Sequence, residues 1–411
     1  MEPASTERMR HVLILNRWLD DRAHYARYLD HGLWRVSYLT TAASERTLRS
    51  ALRGHEATIV VTDVDDLDAV REAACRLQAP HERFEGVVAL AERDLLAAAH
   101  VRERLGVPGA WVAAMLPRRD KLLMKRAMAA AGEVRVPRFA PGDDLGAVRG
   151  LVDDAGWPIV VKPRAEAGCV GVRMTRGWDE LCRALQEAPP STLQCEEHIE
   201  GRLFHADGLV VDGAVRLFAV FEYVNTPLLY VTDGLGSGAA TVDDPVIVDH
   251  GRVMAEAMAR ALDMRDDAFH LEFFLLDTGE TCFLEVGARV GGGPVPGLLR
   301  DVAGVDLVRQ HLRLQLGVPV EPLPDGPPSE VGGYLMLPEP KRRPCRVAAV
   351  RAPRLPTLYS SEVPEVGAVL DGTAHQLDAC GVFLYRGGST ADVMRDIRAT
   401  ERLFAMDCEP V

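Results

Sequence analysis

The sequence predicts a mixed α/β and α+β chain. It should contain an N-terminal doubly wound parallel-sheet domain, a pair of α+β subdomains and a small C-terminal α+β extension. Three observations carry the prediction. Short, wholly apolar runs alternate with helix-like stretches over residues 1–118, the pattern of strands buried on both faces and joined by helical crossovers. From residue 158 onward, strand signals gather in pairs around tight-turn sequences. A proline-rich stretch, residues 318–328, then sets off a last segment with its own strands and helix. The chain has 411 residues, and at roughly 100 to 200 residues per domain it is expected to divide into 1–118, 119–195, 196–318 and 319–411.

His11-Val12-Leu13-Ile14-Leu15-Asn16 reads as the first parallel strand, followed by a helical segment to about residue 33 and a second strand at Val36-Ser37-Tyr38-Leu39. Thr58-Ile59-Val60-Val61-Thr62 and Gly86-Val87-Val88-Ala89-Leu90 repeat the pattern, with helices expected over 65–77 and 92–105. No G-x-G-x-x-G follows the first strand, so a dinucleotide site is not expected there. A helix over 119–131 should end at Gly132. Pro158-Ile159-Val160-Val161-Lys162-Pro163 is a strand stopped by proline, residues 164–171 form a glycine-containing loop, and Val172-Arg173-Met174 resumes a strand. A helix over 178–187 precedes the strand Thr192-Leu193-Gln194-Cys195-Glu196-Glu197. Residues 203–224 read as a hairpin turning at Asp212-Gly213, 225–247 as a long loop and 249–262 as a helix. A second hairpin turns at Asp277-Thr278-Gly279, and further helices are expected over 306–316 and 390–403.

Hydrophobic residues make up 47% and charged residues 26%, a folded globular mixture that excludes a disordered or collagen-like chain. The net charge of −13 disfavours polyanions, so no nucleic-acid partner is expected. The apolar run at 12–15 is far short of the about 18 residues of a membrane span, and none is expected. The eight cysteines include no C-x-x-C pair, which points to reduced thiols in the cytoplasm. Only four of the 47 basic residues are lysines, Lys121, Lys125, Lys162 and Lys341. In so arginine-rich a chain, a retained lysine marks a place that calls for a compact ammonium instead of a planar fork.

Several motifs follow in order. Lys162 ends an apolar strand and precedes Ala165-Glu166-Ala167-Gly168-Cys169-Val170-Gly171, where Gly168 and Gly171 would let backbone N–H groups approach an anion. Glu196-Glu197-His198-Ile199-Glu200-Gly201 closes a later strand. Glu272 in His270-Leu271-Glu272-Phe273-Phe274 and Glu285 in Cys282-Phe283-Leu284-Glu285-Val286 interrupt apolar runs on adjacent strands. Buried acids without partners are costly, so a cation is expected there, and hard oxygen donors favour Mg²⁺ or Mn²⁺. Arg289 and Gly291-Gly292-Gly293 come directly after.

Taken together, these motifs over residues 119–317 resemble the ATP-grasp superfamily. The Glu-x-x-x-Arg spacing of Glu285 and Arg289 resembles its carboxylate-amine ligase branch, which includes bacterial L-amino acid ligases. The resemblance implies two α+β subdomains closing on ATP, with Lys162 and Lys121 on the nucleotide phosphates and the 165–171 loop as a flap above them. It also implies that the backbone at Glu197 and Ile199 reads adenine, that Glu196 faces the N6 amine, and that Glu272 and Glu285 hold the metal. Arg289 would meet the transferred phosphoryl group, and Gly291 and Gly292 a substrate carboxylate. From its length alone, the 230–241 loop with Ser237 is expected to shape the acceptor pocket.

Three positions depart from the family pattern or stand apart from it. Leu203 occupies the place of a ribose-binding glutamate, which leaves His205, on the same strand face, either as a replacement contact to ATP or substrate or as a packed strand residue. Gly287 stands where many relatives carry an asparagine metal ligand. Lys125, one helical turn after Lys121, is expected to be a solvated neighbour. The implied activity is ATP-dependent amide formation between a small carboxylate and an amine, both of amino-acid type, through an acylphosphate with release of ADP and phosphate. The assembly suggested by the family is a homodimer. A carboxylase acting on bicarbonate and a non-catalytic nucleotide-binding regulator stand as alternatives.

Overall fold

The computed structural model describes residues 9–19, 23–78, 83–324, 328, 330–371 and 379–411. The expected linker and the first expected helix lie partly outside the described residues. Strands β1 (Arg10–Asn16), β2 (Trp34–Thr40), β3 (Ala57–Val61) and β4 (Gly86–Ala89) form a parallel sheet in the order β3-β2-β1-β4. Their connections carry α1 (Tyr25–Tyr28), α2 (Ala42–Ala51) and α3 (Leu67–Gln78), and α4 (Leu95–Leu105) and α5 (Val112–Met115) follow β4. The apolar runs predicted as strands are buried throughout β1 and β4, as a sheet covered on both faces requires. The strand order reverses between β1 and β4, and the loop after β4 therefore opens at the carboxyl edge where ligands of such sheets gather. That loop carries Glu92.

Helix α6 (Lys121–Ala131) starts where the Asp120 carboxylate accepts from the N–H groups of Leu122 and Leu123, and it stops at Gly132, whose φ of 66° is left-handed. The next unit comprises β5 (Phe139–Pro141), α7 (Leu145–Ala155), β6 (Ile159–Pro163), β7 (Arg173–Thr175), α8 (Trp178–Gln186) and β8 (Leu193–Glu197). Its antiparallel sheet runs β5-β8-β6-β7 and buries Val148, Ile159, Val161, Leu181 and Cys195 beneath the two helices. The β6–β7 connection is the glycine-containing loop.

Strands β9 (Arg202–Val211) and β10 (Ala214–Tyr223) form the first expected hairpin, with Asp212 and Gly213 both at positive φ, as a tight two-residue turn demands. Residues 225–247 are not the expected loop. They contain α9 (Pro227–Thr232) and β11 (Ser237–Thr241), and β11 lies inside the largest sheet. After them come α10 (Pro245–Ala261), the hairpin β12 (Asp267–Leu275) and β13 (Thr281–Gly287), and helices α11 (Val295–Ala303) and α12 (Leu307–Gln315).

The last segment contains β14 (Val331–Pro338), β15 (Cys345–Arg351), β16 (Leu358–Glu362), β17 (Val369–Leu370), β18 (Ala379–Gly387), α13 (Thr390–Leu403) and β19 (Ala405–Pro410). It is not a separate layer, because the eight-stranded sheet runs β13-β12-β9-β10-β11-β14-β18-β16 across the expected boundary at 318. Small residues in β11 allow this union. A side chain at Gly238 would stand 2.8 Å from the Tyr334 carbonyl oxygen and 3.2 Å from Ile397 of α13. Among the described residues, no helix is long and apolar enough to cross a membrane.

Candidate active site

Register builds the site. Across β12 and β13, Glu272 pairs directly with Glu285 and His270 with Gly287. The neighbouring β9 sets His205 opposite Glu272 and Asp207 opposite His270, and β10 sets Phe221 opposite His205. Because directly paired residues point to the same side, one sheet face carries Glu285, Glu272, His270, His205 and Asp207. The Tyr223 hydroxyl donates to Glu272 Oε1 at 2.7 Å. Burial and the facing Glu285 push the Glu272 carboxyl up. Glu285 moves the other way: burial opposes its charge, but Lys121, Lys162 and Lys125 hold it well below the usual carboxylate range.

The lysines come from α6 and β6. Lys162 at the end of β6 lies 2.6 Å from Glu196 Oε1 and 3.3 Å from Glu285 Oε2, and these acids outweigh burial to raise its pKa. Lys121, at the start of α6, donates to the Glu166 carbonyl of the glycine loop at 2.5 Å and stands 3.9 Å from Glu285 Oε1. Lys125 is the correction among them. It is fully buried, 2.8 Å from Glu196 Oε2, and it donates to the Leu284 carbonyl beside Glu285 at 2.9 Å. Burial draws its pKa down to about 8 despite Glu196. A solvated neighbour was expected because helical spacing tells which side a residue faces but not what covers that side.

Arg289 lies just beyond β13 and is held by a residue with no signal in the sequence. Its Nε and one terminal nitrogen donate to Glu92 Oε2 at 3.0 and 2.8 Å, and Glu92 also bonds Arg119. Burial opposes the Glu92 charge, but Arg289 and Arg119 keep it ionised below its usual range. Arg119 also donates to the Ala165 carbonyl at 2.7 Å. The 165–171 loop is thus fixed over the site, with Gly168, Cys169 and Gly171 in left-handed conformations. The Cys169 thiol is pushed up to about 12 by burial and by Glu272 and Glu285.

The Glu196 side chain is taken by Lys125 and Lys162 and does not face outward to an amine. The Glu197 carboxylate bonds Arg135 at 2.8 Å and the Arg138 N–H at 3.0 Å, and its own N–H donates to the Arg138 carbonyl. Ile199 is buried just past β8. His205 is fully buried, its Nδ1 2.6 Å from Asp207 and its ring stacked on Phe221, so it presents no edge to a ribose. Ser237 opens β11 opposite Met336 and is buried there as a sheet residue, not a loop residue.

Gly291 is packed against Asp207. A Cβ at Gly291 would stand 2.3 Å from Asp207 Oδ1, whereas Gly292 has open space around it. Gly291→Ala should therefore cost about 1–3 kcal/mol of stability through overpacking, and Gly292→Ala should leave the urea unfolding midpoint near wild type. Equal midpoints for the two variants would refute this packing account.

The fold is one shared by ligases of known structure. Within it, the chain is similar to amino acid ligases. It is 25% identical over 265 residues to the L-arginine-specific L-amino acid ligase of Bacillus subtilis, covering 62% of this chain and 63% of that one. It is 26% identical over 206 residues to dapdiamide A synthase of Enterobacter agglomerans, 46% of each chain. These stretches span less than two thirds of the relatives' own length. The structure of an L-amino acid ligase from Bacillus licheniformis superposes with a TM-score of 0.73 at 18% identity, covering 98% of this chain and 99% of that one. No family model matches the chain.

Proposed function

We propose that the protein is an ATP-dependent carboxylate-amine ligase that joins two small, amino-acid-type substrates and releases ADP and phosphate. The observation that carries this reading is the cluster around Glu285, an acid paired across strands with Glu272, held by Lys121 and Lys162 and followed four residues later by Arg289. The facing carboxylates fit a divalent ion. Both are partly exposed, and burial together with the facing Glu285 raises the Glu272 carboxyl, a cost that a cation would relieve. Such an ion, Mg²⁺ or Mn²⁺, would act when bound as a Lewis acid that offsets phosphate charge.

The protein's own groups then supply the remaining chemistry. Lys162 and Lys121 offer ammonium donors to phosphate oxygens. In the first step a substrate carboxylate oxygen bonds to the γ-phosphorus of ATP, the bond to ADP breaks, and Arg289 exchanges Glu92 for the equatorial oxygens. In the second step the amine nitrogen bonds to the acyl carbon, the carbon–oxygen bond to phosphate breaks and the amine loses a proton. The 165–171 loop, anchored by Arg119 and Lys121, keeps water from the acylphosphate. The test is Mg²⁺-dependent phosphate release from ATP, screened over pairs of amino acids with mass spectrometry of the products. A product equal to both partners less one water, formed with ADP, is expected. Turnover with bicarbonate alone would make the protein a carboxylase, and ATP binding without any turnover would make it a regulator.

A further inference from the structure

We infer that Met336, carried on β14 by the C-terminal segment, is a specificity-determining residue: its thioether forms the floor on which an apolar side chain of the carboxylate-donating amino acid rests. The inference rests on the reading of the site as that of a ligase and names the part of the chain that selects its substrate. The two faces of the eight-stranded sheet are told apart at β14. A Cβ at Gly333 would meet Val393 and Ile397 of α13, whereas one at Gly332 would meet Leu298 and Val302 of α11. Side chains alternate along a strand, so Tyr334 and Met336 share the α11 face with Gly332. Tyr334 pairs with Ala239, which pairs in turn with Tyr223, and Tyr223 is the residue that donates to Glu272. Directly paired residues point to the same side, so Met336 stands on the face that carries the acidic pair.

From the other side, Met336 meets the glycine run that follows Arg289. A Cβ at Gly293 would stand 2.9 Å from the Met336 sulfur, so the thioether fills the space that a side chain at 293 would take. Gly292 and Gly293 are exposed, and Met336 and its cross-strand partner Val382 are half-buried. An apolar patch is therefore reachable beside the glycines that lead from Arg289, the group to which the activated carboxylate must come. Small-molecule pockets combine apolar walls with a few placed polar groups, and here Arg289 supplies the charge and Met336 the wall. Ser237, directly opposite Met336, is only 6% exposed, which leaves the thioether as the reachable group of that pair. An unbranched, polarizable methionine adapts to apolar side chains of several shapes. The size of residue 336 then limits how large a side chain the donor can carry.

The test is ligation over all pairs of glycine, alanine, leucine and phenylalanine, with the residue order of each product read by tandem mass spectrometry. Met336→Trp should lower kcat/KM for leucine relative to glycine as carboxylate donor by about tenfold or more, on the scale of about 10–200-fold set by one methylene in an apolar pocket. Met336→Ala should raise kcat/KM for phenylalanine relative to glycine by a similar factor, and KM for ATP should not move in either variant. An unchanged donor order in both variants, or a change confined to the amine partner, would overturn the inference. A wild-type protein that joins no pair of amino acids would overturn the underlying reading instead. A second measurement uses the unaltered sequence: nuclear magnetic resonance of the protein labelled with methyl-¹³C methionine and loaded with ADP and Mg²⁺. Among the signals of the 12 methionines, leucine should shift the one that is missing from the volume-conserving Met336→Leu variant, and glycine should shift it less. A Met336 signal indifferent to leucine would overturn the inference.

Discussion

Arg289→Ala is expected to lower the rate of ATP-dependent amide formation by about 10²–10³-fold or more, the scale seen when a donor aimed at developing oxyanion charge is removed. The guanidinium can leave its present partner without stranding a buried acid, because Glu92 keeps Arg119. For the same reason the variant should stay folded and should bind ATP within a few-fold of wild type, since Lys121 and Lys162 are untouched. Arg289→Lys restores charge but not the planar fork and should fall between the two. Wild-type product formation by Arg289→Ala, measured in the coupled phosphate-release assay, would remove Arg289 from the reaction.

Glu196→Ala is expected to produce the largest loss of stability. The carboxylate is buried between Lys125 and Lys162, and both ammonium groups are themselves buried. Removing one member of a buried ion cluster costs about 3–5 kcal/mol, because the remaining charges lose their compensation without regaining water. Lys125→Met should cost less, as Glu196 retains Lys162. Urea titration of the three proteins checks the order. A Glu196→Ala midpoint equal to wild type would mean that Glu285 alone neutralises both lysines.

Much of this was legible in the chain where the signal is local. Apolar runs gave the parallel strands, Asp212-Gly213 gave a hairpin turn, and two acids interrupting apolar strands gave the facing pair Glu272 and Glu285. What was not legible depends on distant partners. Strand β11 is built of small residues with little intrinsic strand preference, and it exists because β10 and β14 flank it. The burial of Lys125 depends on β13 and β8 packing over α6. Glu92 sits in a short turn after β4 and acquires meaning only through Arg289, 197 residues away.

The hold of Glu92 on Arg289 and Arg119 bears on how this architecture can be inherited. A domain that merely flanked the reaction centre could be exchanged between lineages at a loop near residue 118 without consequence. Here the exchange would leave two arginines facing each other unless the incoming domain carried an acid at the same point of its fourth strand's exit loop. Residues before and after this point are therefore expected to be exchangeable only together with that acid, and functional chimaeras should be recovered only from donors that bring it with them.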